Sequence, residues 1–449
     1  MLIFIPFFIQ AEDNAENIIN NEAIFIINSF NYDVDGITQE FAINYIDKIK
    51  VGHIISGENN LKRYIQEKIQ ALINERVFDT VRIEYIIGNI NEDGLYPVDL
   101  LIYVKDTWNI IIMPYPYYSS SSGLNIFLKA RDYNFLGLIN PLKIDLGFRY
   151  KNDNQNIYTF ILDTVIPFYI FGYYWRFITE NDFNFIPDAN ESFIYKNKTG
   201  ISVKFPTGYE LFNLGEIIYQ TMLSSIINNE YQNWSLDEYK KGPLLEFTHD
   251  ISFSNINWIG NFRSGTSVNL VNTINYNILK GNNNIQPWNT NIEISGVWHT
   301  IINNFLSFST CLFYKHYFLD DYNDEAGDVL RGILDYDILA NYMLSYNFEL
   351  NFKVLEVRPS LWFDSDFWRI FNFDLHLAPV FCAALYNDPI NKITFDFKNI
   401  ILCGGMELII FPQMWRSLFL RASFAIGYQA SKTDNKYSRE IYIGTDFHF

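Results

Sequence analysis

The chain has 449 residues, more than one ordinary domain, and 49% of them are apolar. Its mean hydropathy is close to zero, and no run of about 18 apolar residues follows the N-terminal segment, which argues against a helical membrane protein. A formal net charge of −18 argues against nucleic acid as a partner and against docking on anionic lipid.

Few residues of the sequence form a recognisable chemical site. Cys311, Cys382 and Cys403 form no motif, and an odd number leaves at least one unpaired within the chain. The six histidines are scattered without a pair at metal-ligand spacing, so we expect no metal. Neither a GxxxxGK[ST] nor a GxSxG motif occurs, so we expect no cofactor and no enzymatic activity.

The first 22 residues are typical of an export leader. A short apolar run ends at the small residue Ala11 and is followed by the polar sequence EDNAEN. Because the run has no basic start, we interpret residues 1–22 as the remnant of a signal peptide with a short polar leader. A buried strand is the alternative.

Residues 23–106 predict a small α+β domain with the order β-α-α-β-β. An apolar run of strand length opens this segment, and residues at helical spacing follow it until Gly52. A clearer amphipathic helix covers 61–73. Two alternating strands, over 81–85 and 98–104, complete the order.

This order, together with the residues that carry it, resembles the POTRA domain. The matching features are the Gly52 break between the helices, the segment Arg76–Tyr85 with a phenylalanine leading into its strand, and the closing strand Tyr96–Asp106. Asp106 stands where the family usually has a glutamate, and the first strand lacks the usual Gly-Asn. The resemblance implies a periplasmic domain whose strand edges bind unfolded substrates by strand addition.

Alternation of apolar and polar residues continues from residue 123 to the end of the chain. Between 342 and 352, for example, aromatic and aliphatic residues alternate with Ser345, Asn347 and Glu349. We expect 107–122 to be a linker and 123–449 to form an antiparallel transmembrane β-barrel with one face on lipid and the other on a wet lumen.

Strand length and aromatic content agree with this interpretation. The strands reach about nine to eleven residues, which is enough to cross a membrane. Aromatic residues make up 18% of the chain and suit girdles at two membrane interfaces. At roughly 20 residues per strand and loop, sixteen strands fit best, with fourteen or eighteen as alternatives. A soluble sandwich also alternates, but its buried face would be apolar.

The final strand alternates up to the last residue of the chain. Its spacing of Tyr442, Gly444, Phe447 and Phe449 resembles the C-terminal β-signal of bacterial outer-membrane barrels. The edge strand of a soluble sandwich is the alternative. The resemblance implies an assembly signal and a weak seam between this strand and the first barrel strand, expected near 124–131.

A loop before the alternating strand at 342–352 carries a second motif. The residues Leu330, Arg331, Gly332 and Ile333 resemble the VRGF/Y motif in the long sixth extracellular loop of BamA-type barrels, with Leu for Val and Ile for the aromatic residue. In the resembling family this arginine would fold inward. By strand parity the carboxylates of Glu349 and Asp364 should then point into the lumen within its reach. Ordinary solvated lumen acids and an exposed loop arginine are the alternative.

The order of these motifs resembles a BamA/TamA-type outer-membrane assembly barrel (the bacterial surface antigen family) with a single POTRA domain. The resemblance implies an assembly factor of the bacterial outer membrane that inserts or folds β-barrel proteins, or translocates proteins, through a lateral seam. Expected partners are outer-membrane lipids, unfolded outer-membrane proteins, assembly lipoproteins and periplasmic chaperones. A two-partner-type secretion pore or another outer-membrane channel is the alternative; such secretion pores normally carry two POTRA domains.

Overall fold

The chain divides into two compact units, Met1–Thr107 and Trp108–Phe449. In the computed structural model the described residues are 23–119, 123–150, 156–187, 193–210, 216–228, 243–278, 288–318, 324–325, 327–333, 338–363, 366–389, 391–416, 418–432 and 436–444. The predicted leader, residues 1–22, lies outside them.

The first unit is a four-stranded sheet with two helices. Its elements are β1 (Ile24–Asp35), α1 (Glu40–Asp47), β2 (Ile54–Ser56), α2 (Glu58–Asn74), β3 (Phe78–Ile87) and β4 (Tyr96–Asp106). The sheet has the order β2-β1-β4-β3, with β1 parallel to β4 and the other pairs antiparallel. The elements follow the expected order except for β2, a short strand between the helices. Leu61, Ile65 and Leu72 of α2 are buried, as the helical spacing predicts.

Asp106 connects the end of β4 to the segment that leads into α1. Its carboxylate accepts hydrogen bonds from the backbone N–H groups of Ile37 and Thr38, at 2.8 and 3.2 Å, and from the Thr38 hydroxyl at 2.6 Å. Gly36 directly precedes Ile37. A side chain at Gly36 would overlap the Asp106 carboxylate, so glycine leaves the space that this carboxylate occupies. The residue that departs from the usual glutamate of the POTRA pattern therefore stabilises the entry to the first helix.

Neither helix of the described residues has both the length and the hydropathy of a membrane-spanning helix.

The second unit is a closed antiparallel β-barrel. Its strands are β5 (Ile110–Ser119), β6 (Gly123–Asp132), β7 (Leu142–Tyr150), β8 (Asn156–Ile170), β9 (Tyr173–Phe185), β10 (Phe193–Glu210), β11 (Glu216–Asn228), β12 (Leu244–Ser254), β13 (Asn257–Ile259), β14 (Phe262–Asn277), β15 (Trp288–Asn303), β16 (Leu306–Tyr317), β19 (Tyr342–Val357), β20 (Phe373–Asn387), β21 (Ile401–Pro412), β22 (Leu420–Gln429) and β23 (Tyr437–Gly444). Two short strands, β17 (Asp324–Glu325) and β18 (Leu339–Ala340), form a separate hairpin between β16 and β19. Both β12 and β13 pair with β14, so this interrupted pair occupies one position in the wall.

The inner face of the barrel wall carries many polar side chains, whereas its outer face carries apolar ones. On β19, Ser345, Asn347 and Glu349 are buried, whereas Tyr346 between them is 42% exposed. On β21 and β22, Leu408 and Phe424 face outward in the same way. A soluble sandwich would bury the apolar face instead, so the orientation agrees with a wall that contacts lipid.

The barrel begins earlier than the sequence pattern predicts. The expected linker, 107–122, contains β5, which pairs along its whole length with β6. The expected first strand, 124–131, is therefore the second one, and β23 closes the barrel against β5. Pro114 and Pro116 are unusual within a strand, which is why the sequence of this segment predicts a linker.

The segment between β19 and β20 also differs from the expectation of a strand. Pro359–Leu361 and Asp366–Phe371 form short 3-10 turns, and the next strand begins only at Phe373. The parity argument that placed Asp364 in the lumen assumed a continuous strand here, and the turns remove that premise. Asp364 itself lies outside the described residues.

Candidate functional site

The segment Gly327–Ile333, between β16 and β19, lies inside the barrel. Arg331 is only 5% exposed, and its neighbours Leu330 and Ile333 are fully buried. A loop arginine in water would be open to solvent. Its burial means that the segment is docked against the inner wall, as the resemblance to the VRGF/Y loop implies.

Two carboxylates hold the Arg331 guanidinium. Its Nε lies 2.9 Å from Oε1 of Glu407 on β21, and its Nη2 lies 3.5 Å from Oε2 of Glu349 on β19. Arg421 on β22 approaches the same Glu407 oxygen at 3.7 Å. All four side chains are almost completely buried, so each charge depends on the others for compensation.

Gly332 connects the loop to the last two barrel strands. Its backbone N–H donates to Oε2 of Glu440 on β23 at 2.7 Å, and its carbonyl accepts a hydrogen bond from the Ser438 hydroxyl. Its φ is +84°, and a Cβ atom there would lie 2.6 Å from the carbonyl carbon of Ile426. Glycine is thus required both by the left-handed conformation and by the close approach to β22.

An apolar cluster holds the flanks of the loop. Leu330 and Ile333 pack against a cluster of buried apolar and sulfur-containing side chains: Ile338, Ala340, Met343, Cys382, Ala384, Tyr386, Ile401 and Cys403. The Arg331 backbone contacts one of these residues directly. Its N–H donates to Sγ of Cys382 at 3.4 Å, and the Cys382 thiol donates to its carbonyl at 3.6 Å.

The structure brings together three of the four expected loop residues. Arg331, Gly332 and Glu349 meet at the inner wall, whereas Asp364 lies outside the described residues. Glu407 and Glu440 belong to no motif of the sequence, although each has the parity of a polar-face residue on an alternating strand. Parity predicts the face of a residue, but it does not predict which side chain of another strand it will meet.

The four C-terminal residues that resemble a β-signal are only partly described. Tyr442 and Gly444 lie on β23, while Phe447 and Phe449 fall outside the described residues. A side chain at Gly444 would overlap the Tyr442 ring, so this tyrosine folds over the glycine two residues later. The Arg421 guanidinium lies 4.4 Å from the centre of the same ring.

The closure between β23 and β5 is described only up to Gly444, where the described part of β23 ends. Within this part it consists of the register pairs Tyr442–Ser119 and Ile443–Tyr118. On its other side β23 pairs with β22 from Arg421–Gly444 to Tyr428–Tyr437. The Tyr115 hydroxyl adds one bond, donating to the Ile443 carbonyl at 3.2 Å.

Two prolines reduce the number of hydrogen-bond donors on β5. Pro114 and Pro116 have no N–H, and residues two apart present their backbone groups to the same neighbouring strand. The pairing of β5 with β6 runs without a register shift, so we infer that the missing donors lie on the edge toward β23.

Within the described parts of the chain, no three His, Cys, Asp or Glu side chains are grouped in a way that could hold a metal ion. The polar residues of the inner wall pair with one another instead, as in the ion pairs of Arg358 with Asp374 at 2.6 Å and of Lys315 with Glu293 at 2.9 Å.

Solved structures show where this fold occurs. CdiB from Acinetobacter baumannii aligns with a TM-score of 0.58 at 9% sequence identity, over 94% of this chain and 74% of that one. CdiB from Escherichia coli aligns with a TM-score of 0.50 at 9% identity, over 97% and 93%. This chain has the fold of these CdiB barrels.

BamA from Haemophilus ducreyi, in a form lacking POTRA domains 1–3, aligns with a TM-score of 0.47 at 13% identity, over 94% of this chain and 84% of that one. At such identities the likeness concerns the fold alone. No family model and no curated protein matches the sequence.

Proposed function

We propose that this chain is an outer-membrane assembly factor that inserts or folds β-barrel proteins through the seam between β5 and β23. The observation that carries the proposal is the coincidence of two features on one strand. β23 closes the barrel against β5, where Pro114 and Pro116 lack N–H donors, and it also holds the docked loop through Ser438 and Glu440. Movement of the loop and opening of the seam would thus act on the same element.

Opening of the seam would expose two strand edges inside the membrane. Unpaired backbone N–H and C=O groups are costly in lipid, so an exposed edge favours pairing with another strand. The edge of β23 keeps its donors, whereas Pro114 and Pro116 deprive β5 of two. An incoming strand can therefore form more hydrogen bonds with β23 than β5 forms with β23 in the closed seam.

The Arg331 loop would control this opening. While Arg331 is paired with Glu349 and Glu407, and Gly332 with Glu440, the loop joins β19, β21 and β23 across the interior. Withdrawal of the arginine would remove its charge from buried Glu349 and would leave Glu407 with the more distant Arg421, which is unfavourable. The docked state therefore favours the closed barrel until a substrate compensates for the loss.

The first unit would receive substrates as a POTRA domain on the periplasmic side. Its strand β3 lies at one edge of the sheet, with β2 at the other, so both edges are formally available for strand addition. The proposal also includes a sixteen-position barrel, with β12 and β13 counted as one, and an export leader at residues 1–22. Unfolded outer-membrane proteins and membrane lipids are the proposed partners, together with accessory lipoproteins and chaperones.

A protein secretion pore is the second candidate, and the TM-score of 0.58 with CdiB favours it. In this case a substrate would pass through the lumen instead of leaving through the wall. The two functions differ in the role of the seam, because only lateral insertion needs it to open.

A disulfide lock across the seam tests the proposal. In a background with the three native cysteines replaced by alanine, we place cysteines at Tyr118 and Ile443, which are register partners. A matched control places them at Phe424 and Ile441, register partners in the neighbouring continuous pair of strands. Each protein is reconstituted in lipid vesicles with an unfolded eight-stranded outer-membrane protein, and folding of this substrate is followed by heat-modifiable gel mobility and protease protection.

We expect the oxidised Y118C/I443C protein to fold substrate at least tenfold more slowly than the oxidised control, with recovery on reduction. Equal rates in the two oxidised proteins would contradict lateral insertion. Continued export of a translocated substrate through the locked barrel would then support the secretion pore.

A further inference from the structure

Cys382 and Cys403 face each other across two neighbouring strands. They are direct register partners in the antiparallel pair β20–β21, and both are almost completely buried on the inner face. Directly opposed residues of antiparallel strands have Cβ atoms about 4.5–5.5 Å apart, and a disulfide requires about 3.5–4.5 Å. A small adjustment of the two strands therefore permits an S–S bond.

The Arg331 loop covers this pair of thiols. The Cys382 sulfur exchanges two hydrogen bonds with the Arg331 backbone, and the side chain of Ile333 belongs to the same cluster as both cysteines. A dissolved oxidant must approach a thiol closely to react with it, so the docked loop protects both sulfurs. The third cysteine, Cys311, lies on β16 outside this cluster and provides an internal control.

We propose that Cys382 and Cys403 are a redox-active dithiol, oxidised to an intrachain disulfide by a small disulfide compound when the Arg331 loop withdraws. One cysteine thiolate attacks the oxidant R–S–S–R, forming a mixed disulfide and releasing RS⁻. The second cysteine thiolate then attacks the protein sulfur of the mixed disulfide and releases the second RS⁻. Two electrons pass to the oxidant, and the two protons of the cysteines end on two RSH molecules.

Oxidation would change the docking site of the loop as well as the wall. The disulfide has no S–H, so the bond from Cys382 to the Arg331 carbonyl is lost. The new bond also joins β20 to β21 covalently. The oxidised wall is therefore a poorer docking site for the loop. A barrel that has opened in an oxidising compartment keeps the disulfide, and its loop returns to the docked state less readily.

The proposal rests on the loop movement of the proposed function, but its test does not use assembly activity. The full chain in detergent micelles is incubated with glutathione disulfide. Free thiols are then alkylated, and the peptides that contain Cys311, Cys382 and Cys403 are identified by mass spectrometry. The wild type is compared with Gly427→Ala and Ile333→Ala, two variants that weaken docking by different means, and with Cys311→Ser as a control.

We expect a Cys382–Cys403 disulfide in every protein, formed at least five times faster in the two loop variants than in the wild type or Cys311→Ser. Hydrogen exchange at the Arg331 amide should be faster in the oxidised than in the reduced wild type. Three outcomes would overturn the proposal: free thiols at 382 and 403 in all proteins, only mixed disulfides with glutathione, or equal rates with and without the loop substitutions. If the disulfide forms as expected while the seam lock leaves assembly unaffected, the proposed function fails and the redox pair stands.

Discussion

Gly427→Ala offers a direct way to undock the loop without altering Arg331 or any carboxylate. Gly427 lies on β22, where its missing side chain leaves space for the loop. A methyl group there would lie 2.6 Å from the Gly332 carbonyl oxygen and 2.8 Å from Cγ1 of Ile333. The carbonyl is backbone that is already fixed by Ser438, so it cannot move aside without loosening the loop.

The size of the effect follows from the cost of overpacking. Extra methyl groups in well-packed interiors cost typically about 1–3 kcal/mol. Each 1.4 kcal/mol changes an equilibrium about tenfold, so the ratio of docked to undocked loop should fall by about 5 to 150 times. Gly404→Ala is the matched control, because a methyl group on that neighbouring strand meets its nearest atom only at 3.9 Å.

Hydrogen–deuterium exchange of the intact protein in micelles measures this ratio. The amides of Arg331 and Gly332 are held by Cys382 and Glu440 in the docked loop, so their exchange reports on docking. We expect exchange of the peptide that spans 327–333 to accelerate by the same factor in Gly427→Ala and to stay unchanged in Gly404→Ala. Unchanged exchange in Gly427→Ala, in a barrel of normal heat-modifiable mobility, would refute the docked loop.

Two further predictions concern the first unit, expressed as residues 23–107 and followed by urea unfolding. Asp106→Ala should lower its free energy of unfolding by about 1–3 kcal/mol, because two backbone N–H groups and a hydroxyl lose a charged acceptor; Glu92→Ala, in an exposed turn, should change it little, and equal effects of the two would contradict the role of Asp106. Burial raises the pKa of Asp47 above its ordinary value, so the folded unit binds this proton more tightly than the unfolded chain. This contribution to stability is fully present below the ordinary pKa and is lost as pH rises through the raised value. Asp47→Asn should therefore weaken the fall of stability with rising pH, and an identical pH profile would exclude Asp47 as its origin.

The sequence predicted which barrel residues face outward and inward better than it predicted where the first barrel strand begins. Alternation on β19 and β23 identifies outward apolar residues and inward polar ones because a strand imposes a strict period of two. The same rule failed for β5. Pro114 and Pro116 are typical of a linker, although the edge of β5 toward β23 accommodates them. It also failed after Val357, where two 3-10 turns replace the expected strand and remove Asp364 from the parity argument.

Only part of the candidate site was predicted, because local sequence does not specify contacts between strands that are distant in the chain. The motif around Arg331 and the inward face of Glu349 could be recognised from local sequence. Glu407 and Glu440 could not, because their contacts with the loop depend on the stagger of strands that lie far apart in the chain. The pairing of Cys382 with Cys403 likewise depends on the register of a single hairpin, which three isolated cysteines do not specify.

The bond between Gly332 and Glu440 has a consequence for the order in which the barrel folds. It joins residues that are 108 positions apart, and its acceptor lies on the last strand. Contacts of long sequence separation close late, because the intervening chain must first lose its conformational freedom. The loop can therefore reach its final place only after β21, β22 and β23 have been added to the wall. Its docking marks the completion of the barrel, so the loop should still be open in a folding intermediate to which β23 has not yet been added.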